Sequence, residues 1–194
     1  GRVTGVRFAE RDPVETDVVV NAAGMYANQI GALVGIEVPV IPFAHQYLLT
    51  KPIDGVRAEM PTIRDPDRLV YFRPEAGGGL VAGGYERDPA PWNWQEGPPS
   101  DFNNTLLEED WDRFEPLANV AFSLVPAMRE AEIVRMINGP EAFTPDGEFI
   151  LGETAAVTGL WAAAGFCVHG LAGAGGVGRV IAEWIVEGQP WVDV

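Results

Sequence analysis

Leu160-Trp-Ala-Ala-Ala-Gly165, followed by Phe166-Cys-Val-His-Gly170-Leu-Ala-Gly173-Ala-Gly175-Gly-Val-Gly178, is the stretch whose reading decides the fold class. Leu160 to Gly165 reads as a strand of small residues and Phe166 to Gly176 as a loop rich in glycine and alanine. Beyond it Val177, Val180, Ile181, Trp184 and Ile185 recur at the i, i+3, i+4, i+7, i+8 spacing of a helix with one buried face. Gly188 is placed to end that helix, and Pro190 lies just beyond. Gly173 to Gly178 matches G-x-G-x-x-G between a strand and a helix, the context in which that motif meets a dinucleotide. Its usual setting continues into a second strand with an acidic residue about 20 positions on, whereas only 16 residues follow Gly178 and none of them reads as a strand. What the pattern still supplies is a set of unpaired N–H groups at a helix start, open to an anionic or carbonyl oxygen because glycine has no side chain. Close helix–strand packing is the other reason a chain places glycines there.

Working outward, Asp17-Val-Val-Val-Asn21 reads as a short strand apolar on both faces, suited to the middle of a parallel sheet covered by helices. Asn21-Ala-Ala-Gly24 is its carboxyl end, where ligands of such sheets gather. A helix is expected from Met25 to Val34, ended by Gly35. Between Glu37 and about Met136 the texture changes to strands, turns and prolines. Val38 to Lys51 reads as extended, broken by Pro39 and Pro42. Leu69 to Arg73 and Leu80 to Glu86 flank Glu75-Ala-Gly-Gly-Gly79 as an antiparallel hairpin. Residues 88–100, with four prolines and two tryptophans, read as an irregular loop. Asp101 or Asn104 then caps a helix with Leu107, Trp111, Phe114 and Ala118 on one face, kinked or restarted at Pro116. The expected architecture is mixed α/β: partial Rossmann-like elements in residues 1–36 and 139–194, interleaved with an antiparallel sheet and covering helix in 37–138.

Composition bounds the function. The 194 residues are 47% hydrophobic and 21% charged, the profile of a packed domain. The formal charge of −15, from 28 acids against 13 bases, argues against nucleic acid and against an anionic membrane surface, and leaves a small-molecule ligand open. The lone Cys167 excludes an intrachain disulfide, and with two histidines gives no recognised zinc spacing. No apolar run reaches the roughly 18–20 residues of a membrane span, and residues 1–10 lack the pattern of a signal peptide. A reducing, cytoplasmic setting is expected.

Several side chains are candidates for chemistry, each with an ordinary structural alternative. His45, in Phe43-Ala-His-Gln-Tyr47, and Tyr71, in Val70-Tyr-Phe-Arg73, lie within expected strands, where either type is commonly structural. Arg73 can fork onto a substrate carboxylate or simply face water. His169 can face a ligand of the glycine-rich loop or fill a gap. Cys167 reads as a small buried hydrophobe, and Thr144-Pro-Asp146-Gly as a turn whose aspartate can also meet a ribityl or ribose hydroxyl.

Taken in order, Asp17-Val-Val-Val-Asn-Ala-Ala-Gly24, His45-Gln-Tyr47, Pro61-Thr-Ile-Arg-Asp65, Val70-Tyr-Phe-Arg73, Gly83-Gly-Tyr-Glu86, Gly139-Pro-Glu-Ala-Phe-Thr-Pro-Asp146 and Gly165-Phe…Gly170…Gly175-Gly resemble the later half of the FAD domain of sarcosine and dimethylglycine dehydrogenases, within the D-amino-acid-oxidase-like flavoproteins. The resemblance covers nearly the whole chain. It implies FAD as cofactor and oxidation of a small N-methyl amine to an imine by hydride transfer to the flavin. His45 and Tyr71 match the active-site histidine and tyrosine, able to accept or orient the amine proton. Ala23 and Gly24, Gly165 and Phe166, and Gly170, Gly173, Ala174, Gly175, Gly176 and Val177 match the parts that meet the cofactor, Gly165-Phe166 and the loop through Val177 wrapping its isoalloxazine ring. A helix start there stabilises negative charge at the flavin's N1/C2 carbonyl end.

The family's own dinucleotide fingerprint and its covalently flavinylated histidine precede the matched region, so His45 is not that histidine. The resemblance implies a piece whose partners are the remainder of its parent chain and a small amine, with a folate-binding region to follow. Alone, the piece is expected to hold FAD weakly or not at all. The rival functions are an oxygen-using flavin amine or amino-acid oxidase, and a non-catalytic binding or assembly domain that keeps the fold.

Overall fold

In the computed structural model, which describes residues 1–193, the elements run β1 (Gly5–Val6), β2 (Val14–Glu15), β3 (Val19–Asn21), α1 (Ala27–Ala32), β4 (Ile41–Thr50), β5 (Ile63–Asp65), β6 (Val70–Pro74), β7 (Leu80–Gly84), α2 (Trp111–Leu124), β8 (Ile133–Phe143), β9 (Ile150–Glu153), β10 (Leu160–Ala164) and α3 (Gly170–Glu187). The chain divides into two compact units, Gly1–Pro42 with Trp92–Ser100 and Glu141–Val194, and Phe43–Pro91 with Asp101–Pro140. Val194, the last residue of the expected flavin-domain segment, lies outside the described residues.

In the first unit a three-stranded sheet is ordered β3-β10-β9, with β10 parallel to β3 and antiparallel to β9. All five residues of β10 are buried, and their alternation explains both covers. Trp161 and Ala163 pack on Ile181 of α3, with Val177, Trp184 and Ile185 beside them. Ala164 joins Ala27, Val38 and Val40 on the other side. The valine-rich strand is therefore not the middle one: β3 is an edge among the described residues, with Val20 39% exposed, and the small residues of β10 take the centre. Helix α1 is shorter than expected because Gly24–Tyr26 forms a 3-10 turn ahead of it. Gly35, at φ +74°, does end it, with the Ile36 N–H reaching back to the Gly31 carbonyl.

In the second unit a five-stranded sheet is ordered β5-β6-β7-β4-β8, and β5, β6, β7 and β4 pair antiparallel in that order. The hairpin around Glu75–Gly79 forms as its glycines require. Strand β4 runs ten residues, with Pro42 inside it rather than breaking it. Leu48, Val70, Phe72, Leu80 and Ala82 form one face of the sheet and pack on Phe114, Leu117, Ala118 and Ala121 of α2. Burying Phe114 or Leu48, both about fully enclosed, contributes roughly 1.5–3 kcal/mol each. The expected caps Asp101 and Asn104 do not start α2. Asp110 does, its carboxylate accepting the Arg113 N–H at 3.0 Å, while Leu107 stays outside and gives its N–H to the Asn138 carbonyl. The helix is continuous through Pro116. No helix is long and apolar enough to cross a membrane among the described residues.

Candidate active site

Strand alternation decides which side chains meet on the sheet face turned away from α2. In β4, Gln46, Leu48 and Thr50 point to the helix side and His45, Tyr47 and Leu49 to the other. Register then lines up Arg64, Tyr71, Gly83 and Tyr47 as one row across β5, β6, β7 and β4, and residues directly opposite in antiparallel strands share a face. His45 and Tyr71, far apart in sequence, meet on this face: the His45 Nε2 lies 3.1 Å from the Tyr71 hydroxyl. Tyr85 stacks on the His45 ring, centroids 4.6 Å apart and planes 15° from parallel.

Gly83 makes that meeting possible. A methyl group on it would overlap the Tyr71 Cζ and hydroxyl and come within 2.9 Å of the Tyr47 Cβ, so only glycine lets the phenol lie across β7 toward His45. Its φ is not positive, so the requirement is steric contact and not backbone conformation. Sequence reading singled out neither Gly83 nor Tyr85 as separate contributors. Both stand in Gly83-Gly-Tyr-Glu86, and the signal that finds Gly83 is its register with Tyr71.

His45 is 8% exposed, and burial lowers its pKa from 6.5 to about 4. The imidazole is neutral at physiological pH. Its Nδ1 is buried without a hydrogen-bond partner among the described residues, so Tyr71 supplies the hydrogen bond that orients the ring. This pair can receive a hydrogen bond from a ligand or orient a lone pair, and it resists holding a full positive charge.

The first unit carries the other sequence candidates. At the end of β3 the Asn21 side chain pins the turn, giving its Nδ2–H to the Ala27 carbonyl at 2.8 Å and accepting the Ala23 N–H at 3.3 Å. Gly24 follows at φ +56°. At the end of β10, Gly165 has φ +68°, and a side chain on it would overlap Thr144. Cys167 and Val168 then adopt left-handed φ values of 46° and 70° in succession, a rare conformation for a β-branched residue. The turn is held by Cys167 N–H to the Ala142 carbonyl and by the Cys167 carbonyl accepting from His169 Nδ1 at 2.8 Å.

The glycine-rich stretch is not the loop expected through Gly176. Helix α3 already begins at Gly170, with the first helical bond from Gly173 N–H to the His169 carbonyl, so Gly173, Ala174, Gly175, Gly176 and Val177 lie within it. No side chain caps this start, and the N–H groups of Gly170, Leu171 and Ala172 precede any possible intrahelical acceptor. Methyl groups added at Gly175, Gly176 and Gly178 would meet nothing within 4 Å. Close packing against the strand therefore does not account for those glycines.

A family model described as "FAD dependent oxidoreductase" (DAO) matches residues 1–184. The chain belongs to this family. The chain is 36% identical to mouse mitochondrial sarcosine dehydrogenase over 193 residues, covering 100% of the chain and 20% of that protein. It is 38% identical to the mouse mitochondrial pyruvate dehydrogenase phosphatase regulatory subunit, covering 98% of the chain and 22% of that protein. Among solved structures, L-proline dehydrogenase of P. horikoshii superposes with a TM-score of 0.81 at 26% identity, over 100% of the chain and 48% of that structure. The chain thus spans about a fifth of the length of these curated relatives.

The FAD of this family fits what the first unit offers: an uncapped helix start aiming N–H dipoles outward and a glycine face a flat ring can approach. Gly165 and Phe166 stand at the turn leading into it, and Phe166 stacks on Phe149 at 5.4 Å. The other candidates have partners within the chain. Arg73 is bound to Glu75 at 2.6 Å. Asp146 is a turn residue whose carboxylate accepts the Glu148 N–H, a bond that lowers its pKa. Cys167 is buried, its thiol directed at the Gly165 carbonyl. No cluster that could hold a metal ion occurs among the described residues.

Proposed function

We propose that the chain is part of a longer FAD-dependent dehydrogenase that demethylates a small N-methyl amino acid such as sarcosine or dimethylglycine. In this reading the remainder of the parent chain supplies the rest of the flavin site, so the 194 residues alone hold FAD weakly. The observation that carries the reading is the 3.1 Å contact between His45 and Tyr71 on a sheet face free of the covering helix.

Amine oxidation needs the nitrogen lone pair free. A methylated ammonium must give up its N–H proton before the methyl carbon can release hydride. The burial that disfavours a charged imidazole also disfavours a charged ammonium beside it, so the amine binds in its neutral form with its proton left to solvent, and the neutral imidazole orients it. Tyr71 fixes the imidazole and presents a hydroxyl of its own. When bound, FAD supplies the acceptor for the hydride, which leaves the methyl carbon with two electrons and converts the neutral amine to an iminium ion. Addition of water then yields formaldehyde and the demethylated amine. Ala23, Gly24, Gly165, Phe166 and the start of α3 from Gly170 to Val177 would hold the cofactor, the helix start favouring negative charge near it.

The test replaces His45 with asparagine and Tyr71 with phenylalanine in the complete holoenzyme, following sarcosine oxidation with an artificial electron acceptor and with oxygen alone. A loss of about 100-fold in kcat/KM for each is expected. The oxygen arm separates a dehydrogenase from an oxidase. A second reading, a non-catalytic regulatory or assembly domain, is favoured by the 38% identity to a protein named as a phosphatase regulatory subunit. Turnover unaffected by both substitutions would support that reading and remove ours.

A further inference from the structure

The ladder between β4 and β7 has a gap, and His45 stands in it. Paired residues run as far as Tyr47 and Gly83, and contact resumes only at the bridge between Phe43 and Pro91, where the Ala44 N–H reaches the Ala90 carbonyl at 2.8 Å. Ala44, His45 and Gln46 therefore face an excursion of the chain from Gly84 to Ala90 and not a strand. Extra residues on one side of an antiparallel pair interrupt the ladder and leave nearby side chains to be aimed by other means.

Side chains close this gap from both faces. On one, Tyr85 lies flat on His45. On the other, Gln46 is completely buried. Its Oε1 accepts the Asp110 N–H at 2.8 Å, its Nε2 donates to the Asp110 carbonyl at 3.1 Å, and the same side chain donates to the Glu86 carboxylate. Asp110 in turn caps α2. One buried amide thus ties the middle of β4 to the start of α2 and to the residue after Tyr85. Glu86 has little packing to hold it otherwise, since with Leu69, Arg113, Leu117 and Val120 it lines a cavity of about 540 Å³ on the α2 side of the sheet.

We propose that Gln46 is a positioning residue for His45, acting from the far face of the sheet through its bonds to Asp110 and Glu86. The proposal rests on the reading of His45 and Tyr71 as the groups that meet the amine. Alternation supplies the lever. Residues 45 and 46 point to opposite faces, and Tyr85 and Glu86 likewise part, one to the His45 ring and the other to the cavity. A twist of either segment that moves the imidazole off Tyr85 must also pull Gln46 from Glu86. Misplacing a reacting group by about 1 Å costs up to roughly 100-fold in rate.

The experiment uses the complete holoenzyme and places Gln46→Met, which keeps the length and loses the hydrogen bonds, in two backgrounds. With His45 present, kcat/KM for sarcosine is expected to fall at least about 10-fold, and in His45→Asn less than about 2-fold. A merely structural role costs the same factor in both, so equal losses overturn the proposal. Flavin content and far-ultraviolet circular dichroism report folding. Should Gln46→Met fail to fold, Glu86→Leu takes its place in both backgrounds with the same criterion, and Glu86→Gln, whose carbonyl still accepts from Gln46, is expected to recover most of the loss. A crystal structure of the substituted holoenzyme gives a readout free of turnover: the separation of His45 Nε2 from the Tyr71 hydroxyl, 3.1 Å here, is expected to exceed about 3.5 Å. An unchanged separation overturns the proposal. Full turnover in His45→Asn alone sinks instead the reading of the amine-orienting pair, and the crystallographic distance then decides the role of Gln46 by itself.

Discussion

Adding one methyl group at Gly83 is the sharpest probe of the site, because that carbon would occupy the space of the Tyr71 Cζ and hydroxyl. Gly83→Ala has no conformational penalty of its own, since φ there is not in the left-handed region, and alanine is the smallest possible intrusion. Tyr71 must swing away, and the 3.1 Å contact with His45 goes with it. Overpacking of this kind costs roughly 1–3 kcal/mol of stability, and the hydrogen bond about 0.5–1.5 kcal/mol more. If the pair orients the amine, a loss of about 2 kcal/mol in transition-state binding lowers kcat/KM roughly 30-fold. The assay is a double-mutant cycle in the complete holoenzyme with Gly83→Ala, Tyr71→Ala and the pair together, measuring kcat/KM and thermal midpoint for each. With Tyr71 truncated, the main overlap goes and only the 2.9 Å approach to the Tyr47 Cβ remains, so the double variant should lie close to Tyr71→Ala, giving a coupling of about 1–2 kcal/mol. Strictly additive losses, or wild-type turnover in Gly83→Ala, would refute the steric argument.

Two further outcomes follow from the geometry. Because burial holds the His45 pKa near 4, the unfolded chain takes up a proton near pH 6.5 that the folded chain refuses until about pH 4. Stability from this group is complete above pH 6.5 and falls as pH drops toward 4, by up to about 3 kcal/mol. Glu86, whose pKa is raised chiefly by burial, acts in the opposite sense, so the informative quantity is the difference between wild type and His45→Gln in urea midpoints from pH 4 to 7. A difference independent of pH would contradict the buried, neutral imidazole. At Gly176 a methyl meets nothing in the chain, so Gly176→Ala should stabilise α3 by up to about 1 kcal/mol while weakening FAD retention. Thermal melting of the cofactor-free protein and flavin release during dialysis measure the two effects, and unaltered retention would separate that face from the cofactor.

Periodicity made the amphipathic part of α3 and the β6–β7 hairpin legible, because both are encoded by residues close in sequence: Val180 and Ile181 at helical spacing, and the Glu75–Gly79 turn. Where nearby residues compete for one role, the sequence was silent. Asp101, Asn104 and Asp110 all have the chemistry of a helix cap, and the sheet chooses Asp110 because the buried Gln46 side chain binds both its N–H and its carbonyl. The start of α3 was hidden because glycine has poor intrinsic helix propensity, yet the N–H of Gly173 finds the His169 carbonyl. In the site, His45 and Tyr71 stand out by family resemblance and not by any periodicity. The Glu75 that engages the fork of Arg73 sits only two residues away in sequence, yet no spacing rule marks that pair in a strand leading into a turn.

Four interior glycines in α3, at 173, 175, 176 and 178, each forgo helix propensity worth about 1 kcal/mol relative to alanine. That segment gives up around 4 kcal/mol of intrinsic order, and any ligand that docks against it returns stability by mass action. If the cofactor docks there, loading and local integrity are one equilibrium, and the empty molecule is expected to fray first at Gly170–Gly178 and expose backbone to proteases. Resistance to limited digestion would then measure how much of a population carries its cofactor.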